Sequence, residues 1–540
     1  MVELLSQNRD TRFDPTINRE VAMNDSLTRR RFLADVGKGT LLATIGPALA
    51  SELGLSPAAF GADAPDALNF GDMESLVCFM QETPVAKLQP ALAGKLGSGV
   101  PLKKLLAAGA LANARSFGGE DYIGFHTLMA LTPALRMSGL MPEREAALPV
   151  FKVLYRNTNR IQDHGGRAEE VLHPVRADAN AAAATGEQLR DLVRSKNPDA
   201  AEKMFAALVQ RNDEDAFNVL LHVVQEDTEV HRTVLPYRAW DLLDVVGHEH
   251  AQTLLRQSLR YCLHAEGYRR PEWDEHGKVL TKLLDEHKLL GRDPGTRNAE
   301  DAFVDELSRN IFNGTPEQAA GAVAAALAEG FDPSAIGEAI SLSANQLVLR
   351  DQGRIPAWEA PGKPVGSVHG DSIGVHASDS ANAWRNLSRV SHGRNVHACL
   401  ILGAWQMARD TASRADIRKW EPVPSNRQLG DVTSTDPAQL IRDLEEAIRG
   451  NLQGRASAVV QQCDKHGVPE KQIFDTLLRF AVSEDGALHA EKYFQTVWDD
   501  FHATRPAFRW RHLTALARVT ASEYGRPAPG QAEARELFKV

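Results

Sequence analysis

The sequence predicts an all-α protein, and three observations carry that prediction. Apolar residues recur at intervals of three and four along most of the chain, as in 102–111, 319–327 and 440–448, the period of helices with one buried face. Alanine is abundant, whereas alternating runs rich in Val, Ile and Thr are scarce. Pro and Gly gather in short breaks such as Arg292-Asp293-Pro294-Gly295 and Ala360-Pro361-Gly362-Lys363-Pro364, where loops are expected. With 540 residues, 43% of them hydrophobic, the chain can bury a large core. A net charge of −10 argues against a nucleic-acid partner, which needs a basic footprint.

The first element in order is a leader, expected over residues 1–62. Thr28-Arg29-Arg30-Arg31-Phe32-Leu33 is followed by the mildly apolar stretch 39–50. This resembles a twin-arginine (Tat) signal, whose pattern is Ser/Thr-Arg-Arg-x-Phe-Leu ahead of a modest hydrophobic segment. The position after the motif, often Lys, is Ala34 here. The resemblance implies export in the folded state by the Tat translocation machinery and a periplasmic or secreted location. It also implies that a cofactor can be loaded before export. A dozen apolar and small residues are too few for a permanent membrane span. Ala48-Leu49-Ala50 is a candidate cleavage site, and the polar residues before the arginines leave Met23 as an alternative start.

The mature part, 63–540, is expected to be one large repeat-built helical domain. Two passages align. Ala216-Phe217-Asn218-Val219-Leu220-Leu221 leads through Glu226-Asp227 to His231 and Trp240, and Ile473-Phe474-Asp475-Thr476-Leu477-Leu478 leads through Glu484-Asp485 to His489 and Trp498. In both, the tryptophan stands nine residues after the histidine. Two looser copies contain Ile123-Gly124-Phe125-His126 and Ile373-Gly374-Val375-His376. A further helix is expected after each histidine, over 149–161, 250–264, 394–409 and 510–523. The chain then reads as four divergent units, about 75–195, 196–295, 300–430 and 435–540. Units this long suggest a closed ring around a central pocket rather than a thin solenoid.

In such a ring His126, His231, His376 and His489 converge on one axis. Neutral imidazoles gathered on a cavity ligate zinc, copper or iron, or move protons near neutral pH. Glu226, Asp227, Glu484 and Asp485 are candidates for oxygen ligands or for orienting the rings. The densest polar stretch is 367–382, with His369, Asp371, His376 and Asp379, and Arg385 lies on the helix that leaves it. His369, Asp371 and Asp379 are expected at the pocket mouth. Together with His376 they are the candidate catalytic groups, and Arg385 is the candidate grip for an anionic substrate. A bland alternative makes this stretch a loop capping the next helix through Ser378 or Asp379.

His222 and Glu226 share a helical face, but the spacing to His231 is not that of a His-Glu-x-x-His protease. The four cysteines, Cys78, Cys262, Cys399 and Cys463, stand far apart and suggest neither disulfides nor a cysteine zinc site. Phosphate-loop, dinucleotide-loop and serine-hydrolase motifs are absent from the sequence. The expectation is an exported metal-dependent hydrolase or oxidoreductase acting on a small substrate. Two other classes stay open: a non-catalytic scaffold or ligand-binding protein, and a metal-free lyase or oxygenase using histidine as general base.

Overall fold

The computed structural model describes residues 67–181, 183–269, 274–414 and 416–540. The expected leader, its arginine motif and its cleavage site lie outside the described residues. The described residues are all-α, as the periodicity predicts: helices follow one another along the chain and only isolated β-bridges occur. No described helix is long and apolar enough to cross a membrane.

Twelve of the described helices fall into four triplets. The first is α1 (Leu102–Phe117), α2 (Tyr122–Leu140) and α3 (Leu148–Asp163), and the second α4 (Asp213–Val224), α5 (Val230–Asp241) and α6 (Ala251–Ala265). The third is α7 (Pro333–Arg350), α8 (Ile373–Val390) and α9 (Arg394–Ser413), and the fourth α10 (Glu470–Ser483), α11 (His489–Ala503) and α12 (Trp510–Glu523). Within each triplet every helix touches the other two. Two helices precede each triplet in the chain and pack on it: Glu74–Glu82 and Val85–Gly97, then Gly186–Arg194 and Pro198–Arg211, then Asp301–Asn313 and Pro316–Ala328, then Pro437–Arg449 and Gln453–Lys465. Gly186–Arg194, placed by the sequence in the first unit, packs on the second triplet.

The second helix of each triplet carries one of the four histidines, and these helices touch in a circuit. α2 packs on α5, α5 on α8, α8 on α11, and α11 on α2. The core runs outward from them. α1 is apolar nearly all round, with Leu105, Leu106, Ala108, Ala110, Leu111, Ala112 and Ala114 fully buried, as expected of a helix enclosed on every side.

Local sequence explains how the histidine helices begin. Asp121 accepts from the Gly124 amide, Glu229 from the Arg232 amide and Ser372 from the Val375 amide, each satisfying a first-turn donor. The stretch 373–382 is therefore helix rather than loop, and the cap is Ser372 rather than Ser378 or Asp379. α11 is entered differently, through Gly486, Ala487 and Leu488, all with positive φ (49°, 49° and 66°). Two of these are not glycine, a costly conformation for them.

The shared Ile-Gly-x-His has a packing reason. A Cβ on Gly124 would sit 2.5 Å from Phe117 of α1, and one on Gly374 would sit 2.6 Å from the Val348 backbone of α7. Each glycine lets the histidine helix lie against the helix before it. The aligned Phe and Trp also pair alike: Phe217 stacks on Trp240 at 4.5 Å, and Phe474 meets Trp498 edge-on at 4.7 Å.

Candidate functional site

His126, His231, His376 and His489 all lie in the first turns of their helices, so the circuit brings the four side chains together. Around it the ring centres are 4.8 Å apart for His126–His231, 5.7 Å for His231–His376, 5.3 Å for His376–His489 and 5.2 Å for His489–His126. The rings fill the space between the helices: His126 and His489 are each 4% exposed. A surface cleft of about 560 Å³ bounded by Leu96, Leu102, Ala147 and Phe538 is built from other residues.

Two of the rings have settled tautomers. His126 Nδ1 lies 2.7 Å from the Tyr122 carbonyl oxygen, which only accepts, so Nδ1 carries a proton. His231 Nδ1 lies 2.6 Å from Glu229 Oε1 and donates to that carboxylate. The two Nε2 atoms face each other at 3.3 Å, a hydrogen bond whenever either one carries a proton. His376 Nε2 and His489 Nδ1 are buried with no hydrogen-bond partner among the described residues. The facing Nε2 atoms and the two orphaned ring nitrogens form an arrangement that a shared proton or a cation can bridge.

Glu229 holds the second ring in place. Its Oε1 takes the His231 proton, while Oε2 accepts from the Arg232 amide at 2.9 Å and the Tyr261 hydroxyl at 2.7 Å. Burial opposes its ionisation, but His231 and these donors outweigh burial and hold the carboxyl well below its usual range. The corresponding position two residues before each other histidine is Gly124, Gly374 or Ala487, so His231 alone has a carboxylate there.

Burial, followed by the Lys492 charge, pushes His126 and His489 well below the ordinary histidine value. Burial and the neighbouring His231 take His376 down to about 3. Lys492 stands one turn after His489 and is 2% exposed; burial pulls it down to about 8. Tyr122, 43% exposed, covers the outer side, its ring 4.4 Å from His126 and 5.6 Å from His231. Burial moves its hydroxyl up to about 12.

The other candidates are placed around this centre. Asp371 is half-exposed and ion-paired to Lys363 at 2.7 Å and to Arg354, and these cations outweigh burial to draw it down to about 2. It is close enough to His376 and Tyr122 for its charge to act on both. Asp379 is buried on α8 and accepts from Thr496 of α11 at 2.8 Å; burial raises its carboxyl. His369 turns to α12 instead. Its Nδ1 meets the Ser522 hydroxyl and its Nε2 the Gly362 carbonyl, both at 2.9 Å. The Arg385 guanidinium is held by Asp500 at 3.4 Å and the Ala503 carbonyl at 3.0 Å.

The acids expected to orient the imidazoles are engaged elsewhere. Glu226 pairs with Arg194 and, at 2.8 Å, with Arg269. Glu484 caps the Gly525 and Arg526 amides, and Asp485 pairs with Arg156. Asp227 bonds the adjacent Thr228 amide. His222 turns to Glu187 at 3.3 Å, so it shares no partner with Glu226. Sequence reasoning passed over Glu229, Tyr122, Tyr261 and Lys492. Glu229 and Lys492 were open to detection as charged residues two before and three after an aligned histidine.

Among the described residues no group of three or more His, Cys, Asp or Glu is placed so that it could hold a metal ion. His126 and His231 face each other at donor distance; His376 and His489 complete the circle of rings without closing on that pair. The fold and site thus define a class, an all-α protein with four buried histidines brought together by four helix starts. No family model, curated protein or solved structure matches the chain.

Proposed function

We propose that the four histidines bind one transition-metal ion and that the protein is an exported, metal-dependent enzyme acting on a small substrate, a hydrolase or an oxidoreductase. The observation that carries this reading is the His126–His231 contact. Two imidazole nitrogens on one tetrahedral ion at about 2.05 Å stand about 3.3 Å apart, with ring centres about 5.2 Å apart. The nitrogens here are 3.3 Å apart and the neighbouring ring centres 4.8–5.7 Å apart. The proposal requires the His376 and His489 rings to turn toward this pair.

Neutral nitrogen donors suit zinc, copper or iron. With all four imidazoles bound, such an ion would polarise a substrate or activate water or oxygen only by adding a fifth position. Glu229 fixes the His231 tautomer through Nδ1, as carboxylates do behind metal-bound imidazoles. Tyr122 and Asp371 border the approach. The four triplets, each with its preceding helix pair, are read as divergent copies of one unit closed into a ring. The circuit of histidine helices, the shared Phe–Trp pair and the Ile-Gly-x-His glycines support that reading. Tat export to the periplasm rests on the arginine motif alone.

Elemental analysis of full-length protein folded in its own cytoplasm tests the metal. Near-stoichiometric zinc, copper or iron is expected, falling sharply in His231→Ala/His376→Ala that remains folded. Unloaded wild-type protein contradicts the proposal. The same contact favours one second reading, a proton shared between the facing Nε2 atoms, which makes the pair a metal-free acid–base device. Full activity after exhaustive chelation would select it.

A further inference from the structure

Glu523 closes α12 and is 4% exposed, yet its Oε1 is buried with no hydrogen-bond partner among the described residues. It lies against the turn Gly486–Leu488 that leads into His489. A Cβ added to Gly486 would overlap Glu523 Oε1, so the carboxyl rests on bare backbone. The residues after α12 pair with those before the turn: Asp485 donates its amide to the Arg526 carbonyl at 2.7 Å, and Ala528 to the Ser483 carbonyl at 2.9 Å.

The charged groups around this carboxyl are engaged elsewhere. From α3, Lys152 donates to Glu491 at 2.6 Å, to the Ala481 carbonyl at 2.9 Å and to the Glu484 carbonyl at 2.5 Å, while Arg156 pairs with Asp485. Glu484 accepts from the Gly525 and Arg526 amides at 2.9 and 2.6 Å. The Arg526 guanidinium turns to His369 at 3.2 Å. Glu484, Glu491 and Glu523 are therefore three buried carboxyls beside one buried ammonium. An ionised carboxylate with an unpaired buried oxygen is costly, so Glu523 keeps its proton. Burial, opposed by Lys152 and reinforced by Glu491, Glu484 and Asp485, pushes it up to about 8.

The turn beside it is poised to move. Ala487 and Leu488 hold positive φ, which non-glycine residues adopt only under constraint. α11 also starts without a side-chain cap, unlike α2, α5 and α8. We propose that Glu523 is a proton-controlled latch on the histidine cluster: its neutral carboxyl lets the strained turn close and set His489, and loss of the proton opens the turn so that water reaches the carboxylate. The latch rests on the place of His489 among the rings, and it holds whether those rings bind an ion or share a proton.

The closed turn binds this proton more tightly than the open one. Opening therefore grows as pH rises from about 4.5 toward about 8, by up to about tenfold per pH unit, and levels off above. The buried histidines act with the opposite sign and below about pH 6.5, so the two effects are separated.

Hydrogen exchange of the full-length protein, read by mass spectrometry from about pH 6.5 to about pH 8.5 and corrected for the intrinsic rate, tests the latch. In wild type the segment 484–492 is expected to lose about tenfold or more of its protection over that range, while α6 keeps its own. Glu523→Gln, neutral at every pH, should hold that protection constant. Wild-type protection that does not fall, or an equal fall in Glu523→Gln, overturns the proposal. If the variant does not fold, the wild-type profile decides: a fall confined to 484–492 and the end of α12 supports the latch, and one spread equally over α6 refutes it.

Discussion

Replacing Glu229 by glutamine separates the chemistry of the site from the scaffold. The carboxylate has two oxygens and three donors: the His231 ring, the Arg232 amide and the Tyr261 hydroxyl. Glutamine keeps one accepting oxygen and turns the other into a donor. Whichever way the amide lies, one donor then faces a donor. If the oxygen stays on the helix amide, the cap survives and His231 loses its Nδ1 partner. A charge-assisted bond contributes about 1.5–3 kcal/mol when buried. The carboxylate is 38% exposed, so solvent screening reduces the expected loss of stability to about 1–2 kcal/mol. The effect on metal is larger in proportion, about 10- to 100-fold in affinity, because the ring loses its orientation and its tautomer. Urea unfolding and chelator competition on the same preparation read the two quantities. Unchanged metal affinity in a folded Glu229→Gln protein would refute the role assigned to this carboxylate.

Further predictions follow from burial and close packing. His126, His376 and His489 are neutral in the folded chain and have values depressed below 6.5, so the unfolded chain binds their protons first. Stability is therefore intact above about pH 6.5 and is lost as pH falls toward the folded value of about 3 for His376, at up to about 4 kcal/mol per pH unit for the three together. Urea midpoints measured from about pH 8 to about pH 5 should fall accordingly, and at least as steeply with metal bound, because the ion also excludes protons from the rings; a flat profile would contradict the burial of the neutral rings. Gly374→Ala should cost about 1–3 kcal/mol, because its Cβ would meet the Val348 backbone at 2.6 Å. It should also weaken metal binding by displacing His376; thermal unfolding and metal titration check both. Lys152→Met leaves Glu491, 0% exposed, without its cation and should cost about 3–5 kcal/mol. Lys152→Met/Glu491→Leu should recover most of that loss, as measured by denaturant unfolding.

Much of this architecture is legible in the sequence because helix period and repeat spacing are chain-local signals. The third helices expected over 149–161, 250–264, 394–409 and 510–523 appear as Leu148–Asp163, Ala251–Ala265, Arg394–Ser413 and Trp510–Glu523. Four equivalent first-turn positions bring the four histidines together even though more than a hundred residues separate each from the next. What surrounds the rings is less legible because it depends on lateral packing. Ser378, Asp379 and Ser380 resemble cap residues in isolation, yet they lie inside α8, where Asp379 and Ser380 bond across to Thr496 and Gln406. Glu226 and Glu484 occupy aligned positions but face arginine or loop amides, since the strained turn before α11 and the capped turn before α5 aim them differently. Lys492 looks like an ordinary solvated lysine in the sequence, yet on α11 it is 2% exposed.

The claim that four imidazoles share one ion is tested most directly by X-ray absorption spectroscopy of the protein loaded with a single equivalent of zinc. A shell of nitrogen donors near 2.0–2.1 Å is expected, with outer-shell scattering from three to four imidazoles. That scattering should diminish in His231→Ala/His376→Ala. A shell of oxygen or sulfur donors without imidazole scattering, unchanged in that variant, would contradict it.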